Sequence, residues 1–182
     1  MSRTHRYDPP ERFVVGTVGL PGQRAFFLQA RAGHRLTCVA LEKQQALLLA
    51  ERLDELLQEV AQSQVSGATD SGTPPGPVDD APLESPIEED FRAGTMTLSW
   101  DPSALRVVVE VVAIDATGDP DPDQEPSTAL VVRLSTPMAR AFVRRARAVV
   151  GAGRGECPFC GEPLDPDGHL CVRANGFRRR AG

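Results

Sequence analysis

The stretch LTCVALEKQQALLLAERLDELLQEV, residues 36–60, decides the predicted fold because its hydrophobic pattern changes in the middle. Residues 36–41 form a short apolar run that is typical of a buried strand. From Glu42 onward, the apolar residues recur at steps of three and four, which predicts an amphipathic helix with one apolar face. That face consists of Ala46, Leu49, Leu53, Leu56, Leu57 and Val60. A strand therefore leads directly into a helix that must pack on other structure.

Two further strands are predicted before this stretch. RFVVGTVGL (12–20) and AFFLQA (25–30) are rich in β-branched and aromatic residues. They flank Pro21-Gly22, a dipeptide suited to a type II turn. The first third of the chain therefore predicts three strands followed by a helix.

The same order recurs after residue 90. GTMTLSW (94–100) and LRVVVEVVA (105–113) flank a turn signal, and ALVVRL (129–134) leads into STPMARAFVRRARAVV (135–150). This last stretch predicts a second amphipathic helix, whose apolar face consists of Met138, Phe142, Ala146, Val149 and Val150.

The two pieces together predict an α+β fold. Strands joined by hairpin turns and helices with one apolar face favour a mainly antiparallel sheet with helices on one face. Pro21 and Pro102 lie 81 residues apart, whereas Leu41 and Leu134 lie 93 apart. The 12 additional residues match the length of the acidic stretch 115–126. We therefore interpret the body as an internal repeat of two βββα halves.

Two acidic segments divide the chain. Residues 63–92 carry seven acids and one base, and residues 115–126 carry five acids and no base. Their Ser, Gly, Pro and Asp content predicts solvated, flexible chain. The predicted organisation is a flexible N-terminus (1–11), a first half (12–62), an acidic disordered linker (63–90), a second half (91–150) with an acidic loop (115–127), and a zinc-knuckle tail (151–182).

Composition limits the class of protein. A chain of 182 residues with 41% hydrophobic residues can bury one core and a small additional module. The N-terminal residues are polar and no stretch reaches the length of about 18 apolar residues that a membrane helix needs. Four cysteines, three of them close together, do not resemble a secreted disulfide framework. We therefore expect a cytoplasmic protein that does not bind membranes.

The stretch CPFCGEPLDPDGHLC, residues 157–171, is the most specific motif in the chain. Cys157 and Cys160 have the C-x2-C spacing of zinc-binding turns, and His169 and Cys171 are two residues apart, so that both project to one side of extended chain. Three thiolates and one imidazole are suited to tetrahedral Zn²⁺. With four protein ligands this site is closed, so the predicted zinc is structural rather than catalytic.

Two alternatives to zinc stay open. CPFC is similar to redox-active dithiols, but GEPLDPDG follows it and cannot begin the helix that such a site needs. The cysteines could also be reduced and unligated, which would leave the nearby His-x-Cys unexplained. Cys38 is predicted to be a small core residue, with replacement of Cys171 or His169 as a ligand as the alternative. His5 and His34 are predicted to be surface residues.

Arginines form the second candidate site. Arg140, Arg144 and Arg147 fall on one face of the second helix, and three more end the chain: Arg178, Arg179 and Arg180. Clustered guanidinium groups can bind phosphates, nucleic acid or an acidic partner. The alternative is a solvated face paired with the acidic first helix, and no interleaved aromatic residues support base stacking. Walker, nucleophile-elbow and dinucleotide-binding motifs are absent from the sequence.

Several blocks together resemble an uncharacterised actinobacterial family, a domain of unknown function with a C-terminal CPxCxxPLDPxGHxC zinc-knuckle-like motif. The blocks are RFVVGTVGLPGQRAFFLQAR, LEKQQALLLAERL, FRAGTMTLSWD and CPFCGEPLDPDGHLC followed by RANGF. The resemblance implies a protein partner, with kinase-like and phosphatase-like proteins encoded nearby as candidates. It implies zinc binding only through Cys157, Cys160, His169 and Cys171, which this chain has.

These observations favour a non-enzymatic binding or adaptor protein with a structural Cys₃His zinc site. An enzyme acting on an anionic, phosphorylated small molecule is the first alternative, with its site between the two halves. A nucleic-acid-binding protein is the second alternative.

Overall fold

The structure is a computed structural model that describes residues 3–20, 22–65, 77–114, 128–152, 159–160 and 171. Within these residues the chain forms seven strands and two helices. In chain order they are β1 (Arg3–Tyr7), β2 (Arg12–Val18), β3 (Ala25–Ala32), β4 (Arg35–Leu41), α1 (Lys43–Val65), β5 (Phe91–Asp101), β6 (Arg106–Ala113), β7 (Thr128–Leu134) and α2 (Thr136–Gly151). The predicted α+β fold is therefore confirmed.

The seven strands form one mixed sheet in the order β1-β7-β6-β5-β4-β3-β2. The pairs β2–β3, β3–β4 and β5–β6 are antiparallel, as expected for strands joined by short connections, and β6–β7 is antiparallel as well. The pairs β1–β7 and β4–β5 are parallel. Parallel neighbours cannot be joined by a tight turn, and α1 provides the crossover that connects β4 to β5.

The sheet curls strongly. β1 and β2 stand at its two ends, yet only residues 8–11 connect them. A flat sheet of seven strands would be about 29 Å wide, whereas about five residues of extended chain reach about 17 Å. The two ends must therefore approach each other. Consistent with this, the Tyr7 hydroxyl of β1 lies 2.8 Å from Thr37 Oγ1 at the start of β4.

One apolar cluster lies between the sheet and the helices. β6 shows the alternation most clearly, since Val107, Val109 and Val111 have no exposed surface and the residues between them are partly exposed. α1 contributes Leu53, which is fully buried, and α2 contributes Phe142, whose ring stacks on Phe13 of β2 at 4.7 Å between centroids. The two helices also pack against each other.

α1 begins at Lys43, one residue after the predicted start, and α2 begins at Thr136. α2 starts after Ser135, whose hydroxyl oxygen accepts a hydrogen bond from the Met138 backbone N–H, and Pro137 occupies the first turn. α1 continues to Val65, five residues beyond the predicted stretch. No helix in the described residues is long and apolar enough to span a membrane.

The N-terminal residues differ from the prediction. The sequence predicts a flexible segment over residues 1–11, whereas residues 3–7 form β1, parallel to β7. RTHRY has too few apolar residues to signal a strand on its own. It is held by backbone pairing with β7 and by the burial of Tyr7, which is 3% exposed. These are long-range interactions that a local pattern does not show.

Part of the acidic linker also differs from the prediction. Residues 63–65 belong to α1, and residues 77–90 have no regular secondary structure but pack on the sheet. The backbone of Glu84 exchanges two hydrogen bonds with the side chain of Gln29, at 2.8 and 3.0 Å. At Gly16, a Cβ atom would lie 2.6 Å from Leu83 Cγ, so this part of β2 has room for no side chain. The segment is ordered by these contacts although its composition is that of a linker.

Beyond Ala152, which caps α2, the C-terminal tail is described at three positions. Phe159 is exposed, Cys160 is half-buried and Cys171 is buried. The predicted zinc knuckle otherwise lies outside the described residues, as do the acidic loop 115–127 and residues 66–76 of the linker.

Candidate binding site

A cavity of about 220 Å³ opens between β2 and α2. Its wall is largely apolar, and its polar end carries two guanidinium groups and two carboxylates. The lining residues are Glu11, Arg12, Phe13, Val14, Pro77, Asp79, Pro137, Met138, Ala141, Phe142 and Arg145. An apolar cavity with a few polar groups at one end is the usual form of a small-molecule site. The polar end therefore decides what the cavity can bind.

Arg12 and Asp79 form a two-point ion pair at that end. Arg12 Nε lies 2.5 Å from Asp79 Oδ2, and Arg12 NH2 lies 3.0 Å from Asp79 Oδ1. The hydrogen bonds from Arg12 hold the pKa of Asp79 below its ordinary value, and the same bonds raise the pKa of Arg12. Arg12 also donates to the carbonyls of Ala81 and Pro82, both at 2.9 Å. The Arg12 side chain therefore binds residues 79–82 through several hydrogen bonds.

Arg145 reaches the same carboxylate from α2. Its side chain is 8% exposed, and burial lowers its pKa, which the charge of Asp79 partly offsets. Arg145 Nε donates to the Val15 carbonyl of β2 at 2.7 Å. Arg145 NH1 donates to the backbone carbonyl of Asp79 and lies 3.4 Å from Asp79 Oδ1. One buried guanidinium thus joins α2, β2 and the acidic linker at Asp79.

The charges at this end balance. Besides the groups above, Arg31 pairs with Glu11 at 2.5 Å and with Glu84 at 2.8 Å. Glu84 also lies 3.4 Å from Arg12. Three arginines therefore face three carboxylates: Arg12, Arg31 and Arg145 against Glu11, Asp79 and Glu84. We refer to these six residues as the clamp, because they hold residues 79–84 against β2, β3 and α2.

A second polar cluster joins β1 to β4. Thr37 Oγ1 lies 2.9 Å from His5 Nδ1 and 2.8 Å from the Tyr7 hydroxyl, and Thr37 has no exposed surface. Burial lowers the pKa of His5, although the negative charge of Asp90 opposes this. Arg35 lies over the Tyr7 ring at 4.8 Å. Because Thr37 is fully buried, this cluster is suited to closing the sheet rather than to reacting with a substrate.

The predicted zinc ligands are described only in part. Cys160 is half-buried and Cys171 is 6% exposed, whereas Cys157 and His169 lie outside the described residues. Cys38 is a core residue, as predicted: it is 2% exposed, and burial raises the pKa of its thiol. Among described residues, no three His, Cys, Asp or Glu side chains are grouped as metal ligands, so Cys38, Cys160 and Cys171 form no such group.

The predicted arginine strip is not uniform. Arg140 is half-buried and Arg144 is exposed, and both have interaction partners. Arg147 NH2 lies 2.7 Å from Asp54 Oδ2 of α1, so that this arginine pairs with the acidic first helix. The terminal arginines, Arg178, Arg179 and Arg180, lie outside the described residues.

The sequence does not indicate most of these groups as a site. Asp79 lies 67 residues after Arg12, in a segment whose composition predicts disorder. Arg145 lies next to the predicted arginine strip in the sequence, yet it is buried. A helical projection could have indicated that Arg145 is buried, because it lies three residues after Phe142 and one before Ala146, on the apolar side of α2.

The fold and these clusters define a class: an α+β protein whose curled mixed sheet packs on two helices and whose acidic chain segment is clamped beside a small cavity. A model of the family described as "Protein of unknown function (DUF3090)" matches residues 5–171, and the chain belongs to this family. The expected membership of an uncharacterised family is thereby confirmed. Its actinobacterial origin stays a prediction.

One curated protein is similar in sequence. Latent-transforming growth factor beta-binding protein 2 from Homo sapiens is 31% identical over 175 residues, which cover 87% of this chain and 9% of that protein. The chain therefore spans about a tenth of the length of the curated relative that it matches. No solved structure matches the chain.

Proposed function

We propose that the protein is a cytoplasmic, non-enzymatic binding or adaptor protein whose C-terminal tail is folded by a structural Cys₃His zinc site. The observation that carries this proposal is the state of the charged groups at the cavity. All six side chains of the clamp are paired with one another. A catalytic acid or base needs a perturbed group that can reach a substrate, whereas these groups hold a segment of the chain in place.

The donor chemistry supports zinc as the metal. Cys157, Cys160, His169 and Cys171 supply three sulfurs and one imidazole nitrogen, which is a common set for structural zinc. The burial of Cys171 supports a tail that packs rather than one that is solvated. Zinc would supply the folding free energy that a tail of about 30 residues cannot gain from a core of its own.

Metal content tests the zinc site. We expect the purified full chain to contain one zinc ion per molecule by mass spectrometry, and Cys171→Ser to lower this occupancy at least tenfold in dilute chelator. Cys38→Ala is the matched control, since it also removes a buried thiol but should keep the zinc. Full-length protein that is free of zinc, yet keeps the same proteolytic resistance in its tail, would contradict the proposal.

The partner is proposed to be a protein. The gene-neighbourhood candidates are kinase-like and phosphatase-like proteins, and they can be tested directly. We expect one of them to bind the zinc-loaded chain in isothermal titration calorimetry and to bind the Cys171→Ser variant at least tenfold more weakly. Turnover of a phosphorylated small molecule by the purified chain alone would argue against the adaptor role.

One observation favours a second candidate, a binding site or enzyme for a small anionic molecule. The cavity of about 220 Å³ carries Arg12 and Arg145 at one end and the stacked rings of Phe13 and Phe142 in its wall. An anion would have to replace the Asp79 carboxylate there. If the cavity binds phosphate, Asp79→Ala should bind inorganic phosphate more tightly than the natural chain, and Arg145→Met should abolish binding.

The structure offers less support for nucleic acid. Arg145 is buried and Arg147 pairs with Asp54, so two of the helix arginines are already in use. Binding to nucleic acid should weaken steeply as salt rises, since each phosphate contact releases a counterion. No retention on heparin at low salt would remove this candidate.

The proposed internal repeat concerns how the body was built. The order β2-β3-β4-α1 followed by β5-β6-β7-α2 supports two βββα halves. The parallel pairs fit the same scheme, because β5 follows β4 in the sheet as β1 follows β7. In this scheme β1 takes the place of the first strand of a further repeat.

A further inference from the structure

Within the described residues, most of one edge of β5 has no partner strand. β4 pairs with β5 at only two positions, Val39 with Phe91 and Ala40 with Arg92. On the same side, Gln45 Nε2 donates to the carbonyls of Ala93 at 3.1 Å and Gly94 at 3.3 Å. From Thr95 to Asp101, no strand of the described chain pairs with β5 on the side away from β6. Unpaired N–H and C=O groups on such an edge can pair with another strand.

The side chains along this edge alternate. Thr95, Thr97 and Ser99 are exposed, whereas Met96, Leu98 and Trp100 are half-buried and pack against the core cluster. Charged residues and prolines usually keep an edge strand from pairing with another chain. Residues 95–100 contain neither. The edge is therefore chemically open to another strand.

An apolar groove runs beside the same edge. A cavity of about 350 Å³ is lined by Leu48, Leu49 and Arg52 of α1 and by Met96 and Leu98 of β5. Leu48 is 49% exposed. α1 borders β5 at this groove, and its Gln45 reaches the β5 backbone at Ala93 and Gly94. A second strand along the edge beyond these two residues would place alternate side chains beside Leu48.

We propose that this edge pairs with the β5 edge of a second copy of the chain, antiparallel about a two-fold axis at Leu98. In this register, each residue before Leu98 faces the residue that lies equally far after Leu98 in the other copy. On the apolar face, Leu98 meets Leu98 of the second copy and Met96 meets Trp100. On the exposed face, Thr97 meets Ser99 and Thr95 meets Asp101.

The self-complementarity of this segment is what points to a second copy. Opposite residues in an antiparallel pair share a face, so apolar residues meet apolar ones and hydroxyl groups meet hydroxyl groups. Methionine sulfur beside an aromatic ring is a favourable contact, and no like charges lie opposite each other. An isologous interface needs this match between one segment and itself. The two sheets would join into one through β5, and Leu48 of each copy would flank the contact.

Charge substitution on the exposed face tests the pairing. Sedimentation equilibrium of the full chain should give twice the 19.6 kDa of one chain. The double variant Thr97→Lys, Ser99→Lys should be monomeric, because each introduced positive charge would face a positive charge of the other copy across the two-fold axis. Thr97→Glu with Ser99→Glu should behave in the same way. Mixing the two double variants should restore the doubled mass, which a merely misfolded variant would not do.

A matched control adds the same charge elsewhere. Gln58→Lys with Gln62→Lys lies on the exposed side of α1 and should keep the doubled mass. If the lysine variant fails to fold, Leu98→Cys provides the second test, since a residue opposite its own copy should cross-link two chains on oxidation. A natural chain that is monomeric at all soluble concentrations would overturn the proposal, as would dimers that both charge variants leave intact.

Discussion

Asp79→Ala is the sharpest test of the clamp. The carboxylate receives hydrogen bonds from Arg12 at 2.5 and 3.0 Å and lies 3.4 Å from Arg145. The two arginine side chains are 11% and 8% exposed. Removing the carboxylate therefore leaves Arg12 and Arg145, two buried cations, without the negative charge that both contact in the natural protein. We expect the free energy of unfolding to fall.

The magnitude follows from burial and from the partners that remain. Breaking a fully buried ion pair costs about 3–5 kcal/mol. Asp79 is 36% exposed, so solvent screening reduces that figure. Arg145 also keeps the Val15 carbonyl, and Arg12 keeps two backbone carbonyls and Glu84. The expected loss is about 2–3 kcal/mol at pH 7.

Urea denaturation of the full chain measures this loss. Asp80→Ala is the matched control, since Asp80 is the exposed neighbour of Asp79, and it should change the free energy of unfolding by less than about 0.5 kcal/mol. Hydrogen exchange at residues 79–84 should quicken in Asp79→Ala only. Equal stability of Asp79→Ala and the natural chain would refute the clamp.

Acid should remove the same contribution. Hydrogen bonds from Arg12 hold the folded-state pKa of Asp79 below its unfolded value of about 3.9. A lowered carboxyl pKa stabilises the fold fully above the unfolded pKa, and this gain is lost as pH falls through the folded-state pKa. The difference between Asp79→Ala and the natural chain should therefore shrink below about pH 4. A difference that is unchanged in strong acid would contradict the assignment.

Three further predictions concern other parts of the fold. Gly16→Ala should cost about 1–3 kcal/mol in urea denaturation because its Cβ would lie 2.6 Å from Leu83 Cγ, and adding Leu83→Ala should recover part of the loss. Burial lowers the pKa of His5, so the fold should lose stability as pH falls from about 6.5, and His5→Gln should flatten this loss in unfolding curves across that range. Leu53→Ala removes a fully buried side chain of α1 and should cost about 2–5 kcal/mol, whereas the exposed Leu47→Ala should cost far less.

The secondary structure of the body was predictable because it depends on local periodicity. The six strands and two helices that the apolar patterns predict are all present, and Cys38 lies in the core as its neighbours indicate. Strand pairing across a hairpin follows from short connections, so the antiparallel pairs β2–β3, β3–β4 and β5–β6 were also accessible. The zinc ligands stay a prediction from spacing and donor type.

Other features depend on contacts between residues far apart in the chain. RTHRY becomes β1 because β7 offers an edge and the Tyr7 hydroxyl forms a hydrogen bond with Thr37 Oγ1. Residues 79–84 are held by contacts with distant residues, among them those of Arg12 and Arg145 with Asp79. Composition marked both segments as flexible, since it contains no information on distant partners.

The amino-acid sequence by itself therefore determined six of the seven strands, both helices and the apolar face of each helix. Tertiary structure alone decided that β1 joins the sheet, that the two ends of the sheet approach each other, that β4 pairs with only two residues of β5, and that a buried arginine fastens an acidic segment to the body. The physical reason is the range of the interactions. Backbone periodicity acts over a few residues, whereas ion pairs and sheet edges join groups that the chain brings together only after folding.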